Sequence, residues 1–395
     1  MVAMPDFLSE ALDIFEYTQR LRRDFHKHPE LGFHEIRTSG IVAKELISMG
    51  LDVHIGLGGT GVVALLKGAK PGPVVLVRAD MDALPIHEDT GAPYASENEG
   101  VMHACGHDAH TAILLSVAKI LSLHSSDLSG KVKFMFQPAE EGMGGAEKMI
   151  EDGVFDNPKV DVALALHVWN EKPVGWIGVG DGPVMAGAEI FKIKIIGKGG
   201  HGAVPNLAVD PILSSAQIVS ALQGIVSRNI SPLETAVVSV CTIHGGDTFN
   251  VIPPEVEMTG TIRTFEPDVR TRVLERFKKI VYSIAEGMGC KAEISLEILT
   301  PATINNKKIA ERVQATTRRI FPEADLDVAN FTTMGSEDFA FILEKVPGCF
   351  FFIGSANPKK GLGAGHHHPK FDIDEAVLSQ GTALMTASIS DFLRD

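Results

Sequence analysis

Cysteine is scarce. The 395 residues include four, Cys105, Cys241, Cys290 and Cys349, scattered without paired spacing. That argues against a disulfide framework and for reduced thiols in a cytoplasm. Basic residues are also in the minority. Against 50 Asp and Glu stand 36 Lys and Arg, and the net charge of -14 argues against nucleic acid or an anionic membrane as partner. No apolar stretch reaches membrane-spanning length, and residues 1–10 lack the basic segment and apolar run of a signal peptide, so a soluble, cytoplasmic protein is expected. Internal repeats and low-complexity runs are missing. No strand leads into a G-x-G-x-x-G turn opening a helix, which leaves a nicotinamide dehydrogenase poorly supported. What remains is an ordinary globular composition, 45% hydrophobic and 22% charged, in a chain long enough for two domains.

One short stretch is dense in chemistry. Between His103 and His110 lie three histidines, Cys105 and Asp108, directly before an apolar helical run over residues 111–123. Cys105 and His107 lie two apart with Gly106 between, so both side chains can leave one turn at the mouth of that helix. Thiolate and imidazole are ligands for zinc or a similar metal, and a helix N-terminus helps keep a thiolate ionised. A buried cysteine beside surface histidines is the bland alternative, and other parts of the chain decide between the two.

Helical spacing of apolar residues predicts a helix over 7–28 and a second over 35–49, stopped by Gly50. Residues 62–66 and 74–77 read as buried strands, the second running into Asp80 and Asp82. Another strand, 131–137, ends in Pro138-Ala139-Glu140-Glu141-Gly142, where paired carboxylates are costly unless something cationic joins them. A fourth, 162–166, leads to His167. Three of these strands end in ligand-type residues, which fits a site at the C-terminal edge of an open α/β sheet.

From Ala186 the pattern changes to strand 190–196, helix 212–226, strands 235–243 and 256–265, helix 268–288 and strand 290–298. This βαββαβ order is ferredoxin-like and defines an inserted domain, 186–301. The α/β pattern then resumes with a helix after Asn305, a helix over 336–345, a strand over 349–353 and a last helix from Asp374. The first domain is therefore discontinuous, 1–185 and 302–395. Residues 361–372 form a glycine loop carrying His366, His367 and His368, and its internal position favours a ligand loop over a tag.

Collected, Cys105, His107, Glu141, His167 and one of His366 to His368 supply five metal-type ligands, enough for two ions sharing one ligand. Glu140 stands beside a ligand, in the right place for a general base. Dinuclear sites make hydroxide near neutral pH and polarise a carbonyl, the chemistry of amide hydrolysis.

With these motifs in view, the chain resembles the metal-dependent amidohydrolases that include hippurate hydrolase, bacterial aminoacylase and plant indole-acetyl-amino-acid hydrolases, relatives of dinuclear zinc carboxypeptidases. The likeness runs from His28-Pro29-Glu30 to Phe371-Asp372 through RADMDALP (Arg78 to Pro85), HACGHD (His103 to Asp108), QPAEEG (Gln137 to Gly142), LHVW (Leu166 to Trp169), GKGGHGAVP (Gly197 to Pro205) and the His-x-Pro at His367. It implies a discontinuous zinc-peptidase-like α/β catalytic domain with an inserted dimerisation and lid domain, in a homodimer or dimer-based oligomer. It makes Cys105, His107, Glu141, His167 and His367 the ligands of two divalent ions, with Cys105 bridging. Zinc, manganese, cobalt and nickel all suit that donor set. Glu140 matches the general base and Asp82 the carboxylate that orients a metal-binding neighbour. Asp80, where carboxypeptidase relatives have a histidine ligand, is not counted as one. His201 resembles the histidine that crosses a dimer interface to stabilise the oxyanion, and Asn250 and Arg263 match residues holding the substrate carboxylate. The implied reaction is hydrolysis of an N-acyl amino acid to a carboxylic acid and a free amino acid. A metallocarboxypeptidase acting on peptides and a non-catalytic metal-binding protein are the alternatives.

Overall fold

The computed structural model describes residues 5–394. Residues 1–4 and Asp395, which the sequence reading assigns to the first domain, lie outside the described residues. The chain forms two compact units, one of residues 5–184, 304–331 and 338–394, the other of residues 185–303 and 332–337.

Short runs of valine, leucine and phenylalanine bounded by glycine and proline form the first unit's strands. They are β1 (Asp52–Leu57), β2 (Gly61–Lys67), β3 (Lys70–Asp80), β4 (Ser129–Gln137), β5 (Val162–Pro173), β6 (Trp176–Gly178), β7 (Asp325–Asp327) and β8 (Gly348–Ala356). The sheet order is β1-β2-β4-β3-β5-β8-β6-β7. Its centre, β4, β3, β5 and β8, is parallel throughout. Strands covered on both faces read as continuous apolar runs rather than alternating ones, and Val75 to Val77 and Phe350 to Phe352 are buried accordingly. The helices His107–Leu123 and Ala376–Leu393, buried on nearly all sides, pack into the same core. Parallel strands send all their C-terminal ends to one edge. Register puts Asp80 opposite Gln137 and His167 opposite Phe352, so the segments after β3 and β4 leave side by side.

Three elements differ from their sequence expectations. The helix over 7–28 breaks at Ile14 into Phe7–Asp13 and Phe15–Lys27. Bonds from Ile14 N to Glu10 O and from Thr18 N to Ile14 O span the break, which keeps the helical spacing continuous. Burial of Val168 and Trp169 carries β5 on to Pro173, so His167 lies inside the strand rather than at its end. The helix over 336–345 shortens to Phe339–Leu343.

In the second unit, strands Gly187–Ile196, Ala236–His244, Glu255–Thr264 and Lys291–Thr300 pair antiparallel in the order second, third, first, fourth. This is the split βαβ arrangement. Helices Pro211–Arg228 and Pro267–Gly287 pack on it around Phe191, Ile193, Leu222 and Phe277. Along Glu255–Thr264, Val256, Met258 and Ile262 turn to that core, and the alternation puts Thr259, Thr261 and Arg263 on the other face. A two-stranded ribbon pairs Gly200–His201 with Val251–Ile252. Among the described residues no helix is long and apolar enough to cross a membrane.

Candidate metal centre

The His107–Leu123 helix starts from Gly106, whose φ of 92° is left-handed. A Cβ there would also stand 2.4 Å from Val168 Cγ2. Only glycine satisfies both constraints, and the turn it permits sets Cys105 and His107 beside β5. Cys105 Sγ lies 3.6 Å from His167 Nε2. The ligand atoms of Cys105, His107 and His167 fall within 4.8 Å of one another, as do those of Cys105, Glu141 and His367, and those of His107, Glu140 and Glu141. Two of these triples share Cys105.

Hydrogen bonds fix which nitrogen each ring presents. His107 donates from Nδ1 to Asp82 O at 2.9 Å, with Asp82 Oδ1 at 3.2 Å. His167 donates from Nδ1 to Val168 O at 2.6 Å. Both rings thereby turn Nε2 toward the cluster. Asp82 Oδ2 also accepts the amide of Glu141 at 3.0 Å, so one carboxylate ties the helix to the loop after β4. His367 has a φ of 62°, donates its amide to Ala104 O at 2.8 Å, and places Nε2 3.2 Å from Glu141 Oε1. Ala139, just before Glu140, has a φ of 53° and donates its amide to Glu35 Oε1 at 2.9 Å. Left-handed backbone at two non-glycine residues is the kind of strain that gathers at functional sites.

Asp80 is otherwise engaged. Its Oδ1 accepts His110 Nδ1 and its Oδ2 accepts Arg78 Nη1, both at 2.6 Å. Arg78 is held in turn by Gln137 and Asp338. His110 Nε2 accepts the amide of Val168 at 2.9 Å, pinning β5 next to His167. Of the three loop histidines, His366 turns Nε2 to the amide of Asn170 at 3.1 Å, with its ring against Trp169. His368 Nδ1 accepts the amide of Lys370.

The electrostatics suit a cation. Burial, reinforced by Glu141, pushes the Cys105 thiol up, so the helix N-terminus does not by itself keep the thiolate that the sequence suggests. Burial works against a charged His107, but Asp80 and Cys105 outweigh it and hold its pKa well above the usual value. Burial, then His110 and His366, keep His167 neutral, well below the usual range. Bonds to Cys105 and Glu141 raise His367 to about 10. His107 Nε2 is buried and has no hydrogen-bond partner among the described residues, with Asp80 Oδ2 3.7 Å away and Glu140 Oε2 4.0 Å away. A buried nitrogen in that state is costly unless something binds it. Sulfur, imidazole and carboxylate donors together fit a divalent transition metal.

The other three candidates belong to the second unit. His201 is exposed, its Nδ1 accepts the amide of Ala203 at 3.0 Å, and it pairs with Val251 across the ribbon. Asn250, also exposed, accepts the amide of Gly202 on its backbone oxygen. Arg263 donates to Thr261 Oγ1 and Ile262 O. The sequence reading gave no role to His110, Arg78 or Glu35. For His110 a signal exists, since it lies one turn after His107 on the same helix face.

Residues 76–391 match the model of peptidase family M20/M25/M40. The thermostable carboxypeptidase 1 of Saccharolobus solfataricus is 40% identical, over 97% of this chain and 98% of that protein. An N-acetylcysteine deacetylase of Bacillus subtilis is 41% identical, over 91% of this chain and 92% of that protein. The crystal structure of the Bacillus subtilis YXEP protein, described as a dinuclear metal binding peptidase from the M20 family, superposes with a TM-score of 0.85 at 36% identity, covering 96% of this chain and 99% of that one. Sequence and fold agree along nearly the whole length: the chain belongs to peptidase family M20/M25/M40.

Proposed function

We propose that this protein is a metal-dependent amidohydrolase that cleaves the amide bond of N-acyl amino acids, releasing a carboxylic acid and a free amino acid. The observation that carries the reading is the gathering of sulfur, imidazole and carboxylate donors around the buried Nε2 of His107. Cys105, His107, Glu141, His167 and His367 would hold two divalent ions, and zinc, manganese, cobalt or nickel would serve. Ions held there supply carbonyl polarisation and a water acidic enough to ionise near neutral pH. Glu140, next to the ligand Glu141, takes the proton of the attacking water and returns it to the leaving nitrogen. Asp82 fixes the His107 tautomer.

Residues 1–185 and 302–395 act as the catalytic domain, apart from 332–337, which cluster with the second unit, and 186–301 as a dimerisation and lid domain. His201 of the partner subunit donates to the oxyanion, and Asn250 and Arg263 take the substrate carboxylate. All four cysteines are free, in keeping with a reducing cytoplasm. The carboxypeptidase among the relatives supports a second reading, the same chemistry on peptides. Hydrolysis of N-acetyl and N-benzoyl amino acids, compared with dipeptides on metal-loaded enzyme, tests both. Faster turnover of the acyl set is expected; a preference for dipeptides moves the protein to the second reading, and hydrolysis of neither overturns both.

A further inference from the structure

Behind the ligand cluster lies a second buried network that the proposed chemistry does not use. Arg22, on the Phe15–Lys27 helix, is fully buried. Its Nε donates to Asp108 Oδ2 at 2.9 Å and its Nη2 to Asp372 Oδ1 at 2.8 Å. Asp108 directly follows His107 and also receives His26 Nδ1 at 2.7 Å. Asp372 closes the loop that carries His367; its Oδ1 also accepts the amide of Ile373, and its Oδ2 the hydroxyl of Tyr94 at 2.8 Å. One planar guanidinium therefore joins the start of the helix bearing Cys105 and His107 to the end of the loop bearing His367.

Ion networks at such depth are a weak source of stability, because desolvation cancels much of the attraction. Their attested use is to fix geometry. Geometry is what this loop needs. Residues 361–372 contain no strand or α-helix. The His367 side chain is 52% exposed and stands on left-handed backbone. The loop has other tethers, and one of them, the His367 amide bond to Ala104 O, ends beside Cys105. Asn170 Nδ2 donates to Ala364 O and Asp372 O, linking the loop to β5, and the amide of Asp89 bonds Pro369 O. Among these, the Arg22 fork alone reaches the residue next to His107.

We propose that Arg22 is a positioning residue. Together with the His367 amide bond to Ala104 O, it sets the separation of His367 from the Cys105–His107 pair, and with it the affinity for an ion held through His367 and Glu141. The inference rests on the two-metal reading of the cluster. Lysine keeps the charge of Arg22 but offers no rigid fork with which to hold two carboxylates at once.

The test is a zinc titration of metal-free, full-length protein by calorimetry, with bound metal counted after dialysis. Wild type should bind two ions. Arg22→Lys should keep one at wild-type affinity and weaken the other by about 10- to 100-fold, the scale for losing a group that orients a ligand. His367→Ala should weaken the same site. Tyr94→Phe, which removes one bond to Asp372 from a part-buried side chain, should shift that site in the same direction by less. It decides the matter if urea unfolding shows that Arg22→Lys does not fold. Unchanged affinities in the folded variants overturn the proposal, and so does equal weakening of both sites, which would mark general loosening. Wild type binding fewer than two ions instead removes the two-metal reading itself.

Discussion

Asp82 holds His107 through Nδ1, with the backbone oxygen at 2.9 Å and the carboxylate at 3.2 Å. The ring is thereby fixed with Nε2 toward Cys105 and the glutamates. Because the Asp82 carboxylate also accepts the Glu141 amide at 3.0 Å, replacing it loosens His107, which keeps the backbone oxygen, and frees the Glu141 amide. Asp82→Ala should lower zinc affinity by about 10- to 100-fold, measured by competition with a chromophoric chelator. Wild-type affinity in the variant would show that the carboxylate plays no part in positioning His107 and Glu141.

Removing metal should remove activity. Five donors gather in the first unit in two groups that share Cys105, so dialysis against a chelator should abolish amide hydrolysis, and zinc, manganese, cobalt or nickel should restore it. Full turnover in protein shown metal-free by elemental analysis refutes the assignment.

Glu140 and Glu141 should separate cleanly. Glu140→Gln should cut turnover by at least about 10²-fold, the scale for losing a general base, with both ions retained. Loss of an ion from that variant would mean that the two glutamates exchange roles.

His201→Ala should reduce turnover with metal content unchanged, because its unit carries none of the five donors. Mixing it with Glu140→Gln gives dimers with one doubly defective site and one intact site, so activity should partly return. Verified subunit exchange without recovery places His201 in the service of its own chain.

Acid should unsettle the metal-free protein through His103. Burial lowers its pKa to about 4, and neither ring nitrogen has a hydrogen-bond partner among the described residues. The unfolded chain takes up this proton near pH 6.5 and the folded chain only near 4, so stability is complete above 6.5 and falls as pH drops through that window. His103→Leu should flatten the fall by on the order of 1–3 kcal/mol, read from urea unfolding at pH 7, 6 and 5. Parallel pH profiles for the two proteins would rule His103 out as the cause.

Much of this arrangement is legible in the residues. The apolar runs that become β3, β4 and β5 are short, rich in valine, leucine or phenylalanine, and followed by carboxylates or histidine. What composition cannot show is direction. His366, His367 and His368 are chemically identical, and what sets them apart is conformation: His367 reaches Glu141 from left-handed backbone, His366 turns onto the Asn170 amide and His368 onto that of Lys370. The extent of β5 is hidden because two of its polar members, His167 and Asn170, are buried through long-range partners. Arg22 escaped for a related reason. Helical spacing rests on apolar residues such as Leu21 and Phe25, and a charged residue beside them reads as solvent-facing until Asp108 and Asp372 meet it in the fold.

The pairing of β5 with β8 joins residues 162–173 to residues 348–356. On a ribosome, β5 emerges long before its neighbour exists. The segment 185–303 between them has its own closed core and can finish folding while the first sheet still has an open seam at β5. The last donor, His367, is made later still. The order along the chain is therefore inverted relative to the fold: the inserted segment can close its core before β5 has met β8, and His367 follows both.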